Sequence, residues 1–103
     1  MHLVKRLEFI ADEQEMHKIL AVLDEIGVPG YTVIHNVTGK TPRATAADDL
    51  PIAGLGNVYV ICCCDESFIQ PILEKVRPLL NKFGGVCYLS DAMEIRSINC
   101  VAL

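Results

Sequence analysis

Two groups of side chains have the types and spacing to do chemistry. One is the cationic stretch around Lys40 and Arg43; the other is the run Cys62-Cys63-Cys64, with Cys87 further on. Gly39-Lys40-Thr41 has the form of the end of a phosphate-binding loop, whose backbone amides cradle phosphate while the lysine reaches it. The earlier glycine of such a loop is replaced by Ile34, and Pro42 follows where a helix should begin, so the motif is rejected. Taken alone, Lys40 and Arg43 read as solvated loop charges. The cysteines do not make a metal site either. Neighbouring side chains on a strand point to opposite faces, and the spacing is not that of zinc ligands. They read as buried structural thiols. His2, His17 and His35 are scattered, and the adjacent acids Asp48 and Asp49 read as loop solvation. No nucleophile, base and orienting group can be assembled. No catalytic residue, metal ligand or required cofactor is therefore assigned, and the chain reads as a binding protein, not an enzyme.

The elements that would position these groups follow from hydrophobic period. Residues 2–10 mix charges with Leu3, Val4, Leu7, Phe9 and Ile10, as a strand with one well-buried face does. Met16, Ile19, Leu20, Leu23 and Ile26 then recur at helical spacing. Asp12 and Glu15 have the form of a capping box before this stripe, and Gly27 suits the left-handed position after it, which predicts a helix over 13–26. Residues 31–37 are rich in β-branched side chains and read as a second strand. The stretch 38–56 is polar, with three glycines and two prolines. A segment that long without periodicity inside a small domain is usually functional.

Residues 57–64 are apolar on both strand faces, so both faces need cover. A second helix follows, carrying Phe68, Ile69, Ile72, Leu73, Val76, Leu79, Leu80 and Phe83, with Asp65 or Ser67 as its cap. Pro78 falls inside this stripe and predicts a kink or a shortened helix. Gly84 and Gly85 stop it, and 86–95 is the fourth strand. The order β-α-β, long loop, β-α-β is the ferredoxin-like α+β arrangement: a four-stranded antiparallel sheet with two helices on one face. Two helices leave the other face bare. Tyr59, Ile61 and Cys63 make it apolar too, which calls for a partner subunit.

Length and charge narrow the class. A chain of 103 residues holds one core, so 1–103 is read as a single domain. Apolar residues make up 51% and the net charge is −4, which argues against disorder and against a basic nucleic-acid-binding surface. Charges interrupt the N-terminal apolar run, so no signal or membrane span is expected there. Five cysteines without framework spacing suit a reducing compartment, and the expected location is the cytoplasm.

Helix one, then Gly27-Val-Pro-Gly-Tyr-Thr-Val33, a long loop, a second βαβ half and Gly84-Gly85 together resemble the PII superfamily of signalling proteins. The likeness is to its divergent PII-like branch, associated with bicarbonate uptake and carboxysomes, and it spans roughly residues 2–96. The resemblance implies a homotrimer that binds an adenine nucleotide (AMP, ADP, ATP or a cyclic nucleotide) as effector between subunits. The ligand would sit under a T-loop, here 38–56, and that loop would dock on a membrane transporter or carboxysome-related protein in nitrogen and carbon regulation. Carried over by position, Tyr31, Thr32 and Val33 lead into the T-loop, and Gly39, Lys40 and Arg43 form its phosphate-holding base. Gly84 and Gly85 match a shortened B-loop, and Arg96 acts across the subunit boundary, ahead of a tail at 97–103.

Two departures shift the expected ligand. The family's usual B-loop has more glycines and a phosphate-binding lysine, whereas Val86 follows Gly85 here; the T-loop also lacks the tyrosine of the uridylylation switch. A nucleotide with fewer phosphates, a cyclic one, or a small anion such as bicarbonate fits better than a triphosphate. Cys100-Val-Ala-Leu103 has the form of a prenylation box, but is read as a chance match because the rest of the chain resembles a bacterial family that does not use that modification. Two other functions remain open on the same fold: slow nucleotide hydrolysis, and metal-ion binding by a CutA-like trimer.

Overall fold

In the computed structural model, which describes residues 1–38 and 56–96, hydrophobic alternation along the first strand sets the layers. β1 (His2–Asp12) buries Leu7, Phe9 and Ala11 on one face and turns Arg6, Glu8 and Ile10 to the other. β3 (Asn57–Cys64) runs antiparallel beside it, with Leu7 opposite Cys62, Phe9 opposite Val60 and Ala11 opposite Val58. β4 (Val86–Glu94) pairs with the other edge of β1 and places Cys87 opposite Phe9. β2 (Thr32–Val37) pairs outside β3, which gives the order β2-β3-β1-β4. All three pairings are antiparallel, as the ferredoxin-like reading requires.

α1 (Met16–Ile26) and α2 (Ile69–Phe83) cover the buried face with Ile19, Val22 and Leu23 from one helix and Ile69, Ile72 and Val76 from the other. Each fully buried aliphatic or aromatic side chain contributes about 1.5–3 kcal/mol through area removed from water. Both helices are entered through a single 3₁₀ turn. The Asp12 carboxylate accepts from the Gln14 amide at 2.9 Å, and the Asp65 carboxylate accepts from the Ser67 amide at 3.0 Å. That bond holds the Asp65 carboxyl below its ordinary pKa. The reciprocal half of the predicted capping box is not made; Glu15 pairs with Lys18 at 3.0 Å instead. Gly27 and Gly84 end the two helices with φ of 86° and 87°, where a side chain would be strained.

Pro78 does not shorten α2, which continues to Phe83. Pro78 and Glu74 are both exposed, so the Glu74 carbonyl that lacks the Pro78 donor can turn to water. Pro78→Ala should restore that bond and raise stability by about 1 kcal/mol. Urea unfolding checks this, and a loss of stability would mean that the restriction Pro78 places on the unfolded chain outweighs the missing bond.

Candidate functional site

The last residues of β1 organise one end of the sheet. Ile10 lies opposite Val86, while Ala11 and Asp12 lie opposite Val58 and Asn57, so the starts of β3 and β4 flank the same strand end. The two-glycine turn and the neck of the long loop are therefore brought to one place. The Glu13 amide donates to the Gly56 carbonyl at 2.9 Å, and His35 Nδ1 lies 3.4 Å from Glu13 Oε1. A register shift between Ile34 and Val37 leaves Asn36 in the left-handed region, φ 58°, against Gly56. Asparagine tolerates that conformation better than most residues.

Gly85 is buried, and a side chain there would meet the Ile10 carbonyl oxygen at 3.0 Å and a Leu80 methyl at 2.9 Å. The turn is thus held tight against β1. Beside it an open groove of about 370 Å³ runs between α2 and β4, lined by Leu73, Leu80, Cys87 and Leu89, with Arg77 and Asn81 supplying polar donors.

The remaining predicted site residues are placed as follows. Val33 packs against the core opposite Val60, and Thr32 is exposed opposite Ile61. Tyr31 precedes β2, and its hydroxyl donates to Asp24 at 3.0 Å, an acceptor that raises the phenol pKa. Arg96 follows the far end of β4, with Nε 2.5 Å from Glu94 Oε1. One copy of the chain therefore joins Gly84 and Gly85 to the loop neck and leaves Tyr31 and Arg96 elsewhere. Gly39, Lys40 and Arg43 lie outside the described residues, as does Cys100.

The cysteines divide as strand alternation dictates. Cys62 and Cys64 are buried and Cys63 is exposed on the opposite face. Burial pushes the Cys62 thiol up to about 12 and Cys87 to about 11, so both stay protonated and unreactive at neutral pH. Among the described residues no group of three His, Cys, Asp or Glu side chains is placed to hold a metal, and no helix is long and apolar enough to cross a membrane.

Residue-type reasoning missed a polar cluster on the uncovered sheet face. Tyr59 donates from its hydroxyl to Glu8, and Arg6 Nε lies 3.4 Å from the same carboxylate. The bond to Glu8, together with burial, raises the Tyr59 phenol pKa. The signal was present in the alternation of β1, where Arg6 and Glu8 interleave with Leu7 and Phe9.

Comparison with known proteins places this geometry. The family model for nitrogen regulatory protein P-II matches residues 4–99. The chain is similar in structure to CPII, a nitrogen regulatory PII-like protein from Thiomonas intermedia solved with ADP and bicarbonate. Identity is 25% and TM-score 0.77, covering 92% of this chain and 91% of that one. The apo form of CPII matches at 25% identity and TM-score 0.74, covering 93% and 96%. A PII-like signalling protein from Thermus thermophilus, at 15% identity and TM-score 0.67 over 89% and 90%, shares the fold. No curated protein matches the chain in sequence.

Proposed function

The chain belongs to the nitrogen regulatory protein P-II family, and from that premise we propose that it is a homotrimeric, cytoplasmic, non-enzymatic signalling protein. It binds an adenine nucleotide, with bicarbonate as a second ligand, in the cleft between subunits at the loop neck. The observation that carries this reading is the likeness, across nearly the whole chain, to a PII-like protein holding ADP and bicarbonate. The local geometry supports it: Gly84–Gly85 and the neck at Glu13, His35 and Gly56 stand at one end of the sheet. A ligand there would bias which arrangement residues 38–56 adopt, and so what they dock on, a transporter or an enzyme. Arg96 would reach the ligand of a neighbouring subunit, since within its own chain it sits beyond the far end of β4.

Calorimetry with AMP, ADP, ATP and a cyclic nucleotide, each with and without bicarbonate, tests the ligand. Absence of binding by all of them at millimolar concentration overturns it. Product analysis over hours reveals any slow hydrolysis, and sedimentation tests the trimer. Arg43→Ala should weaken the best ligand by about 1.5–3 kcal/mol, the range for a charge-assisted hydrogen bond, with little change in melting temperature. A loss of only a few tenths of a kcal/mol, varying with ionic strength, would return Arg43 to solvated loop charge.

A further inference from the structure

We infer that Arg6 and Glu8 on the uncovered sheet face are the charge pair that registers one copy of this chain against the next, each guanidinium meeting a neighbour's carboxylate. The inference rests on the homotrimer reading and specifies which residues would set that contact. Arg6 and Glu8 project from the same face of the central strand β1, opposite to Leu7 and Phe9. Around them the face is mixed: Ile10 on β1, Ile61 on β3 and Tyr88 on β4, the last 49% exposed, give it an apolar part, and Ser90 lies opposite Arg6.

The pair is only partly satisfied within one chain. Glu8 accepts from Tyr59 and stands 3.4 Å from Arg6 Nε, yet that nitrogen, shielded from solvent, makes no aligned hydrogen bond. The Arg6 side chain nevertheless remains 41% exposed, beside Tyr59 and Glu8. Tyr59 holds the Glu8 carboxylate in place, so little of its side-chain entropy remains to be lost when a partner arrives.

Charge complementarity names the occupant. Positive and negative groups side by side on one strand make the face complementary to itself, because rotation about an axis can set each Arg6 near the next copy's Glu8. A nucleic acid would bring phosphate against Glu8, and an anionic membrane would do the same. A second copy brings the matching charge on a matching apolar border, and burying both charges together avoids leaving either unpaired.

The test uses sedimentation of the full chain and of R6E and E8R, separately and mixed. Each reversal alone should weaken assembly about tenfold or more, because like charges then face each other. Mixing the two should recover much of the loss, since in a ring of three mixed chains two contacts become opposite in sign. Mixed samples as dissociated as the separate ones would overturn the inference, because the pair would then act only within a chain. Single reversals that assemble like the parent would also overturn it and leave the trimer reading standing. A monomeric parent chain at micromolar concentration would overturn both. Circular dichroism checks folding. If a reversal unfolds the chain, R6Q and E8Q must each weaken assembly several-fold, and parental affinity in either overturns the inference.

Discussion

Phe9→Ala is expected to lower the unfolding free energy by about 3–5 kcal/mol, a large part of what a domain this size has to spare. Phe9 is fully buried at the centre of β1, opposite Val60 on one side and Cys87 on the other, beneath both helices. No neighbour is free to collapse into the space. The flanking strands are fixed by their ladders, and the helices are fixed by Ile19, Leu23, Ile72 and Val76. Urea unfolding at constant protomer concentration measures the loss, and a value below about 1 kcal/mol would mean that the core is not closed over Phe9.

Gly85→Val should come close to that effect by the opposite route, overpacking. Even a single Cβ would stand 3.0 Å from the Ile10 carbonyl oxygen, a backbone atom of the central strand that cannot rotate away. Valine adds two methyl groups beside Leu80 and Ala11, and overpacking of this kind costs about 1–3 kcal/mol. Because Gly85 stands at the proposed nucleotide end, ligand affinity should fall with stability. Gly84→Ala makes a useful contrast, since there the strain lies in a φ of 87° while the space around is open. If Gly85→Val were as stable as the parent, the tight turn against β1 would be wrong.

Much of this fold was legible because each element carries its own period. Leu7, Phe9 and Ala11 alternate as a strand's inner face must. The stripe from Met16 to Ile26 keeps helical spacing, and Gly27 and Gly84 mark the ends. The antiparallel sheet is readable for the same reason, while the P-II family is legible from the resemblance carried by Gly27–Val33 and Gly84-Gly85. Details decided by tertiary context were not. Nothing in Ile34-His35-Asn36-Val37 announces a register shift, because the shift depends on where β3 begins. Pro78 has the form of a breaker, yet α2 runs through it to Phe83 because the packing of Ile69, Ile72 and Val76 against the sheet holds the helix.

The candidate site was harder still. Gly84 and Gly85 were legible as turn residues, and the structure sets them beside the loop neck. The Arg6–Glu8–Tyr59 cluster needs the register of β1 against β3, which no single segment contains. Tyr31 enters the expected site only through the resemblance, and the bond from its hydroxyl to Asp24 on α1 has no signal in the local sequence.

The central place of β1 also governs how the chain can fold. Its two partners are β3 and β4, and the outer pairing joins His2 to Glu94. During synthesis the segment bearing Leu7 and Phe9 emerges early and finds no strand to pair with until most of the chain has followed. Local helices and the β2–β3 ladder can form first, but β1 must wait for β3, and its second ladder, to β4, closes a longer loop still, so loop entropy is lost before the sheet is complete. Such topologies fold slowly for their size, and in the interval the apolar strand is open to chaperones and to other nascent copies.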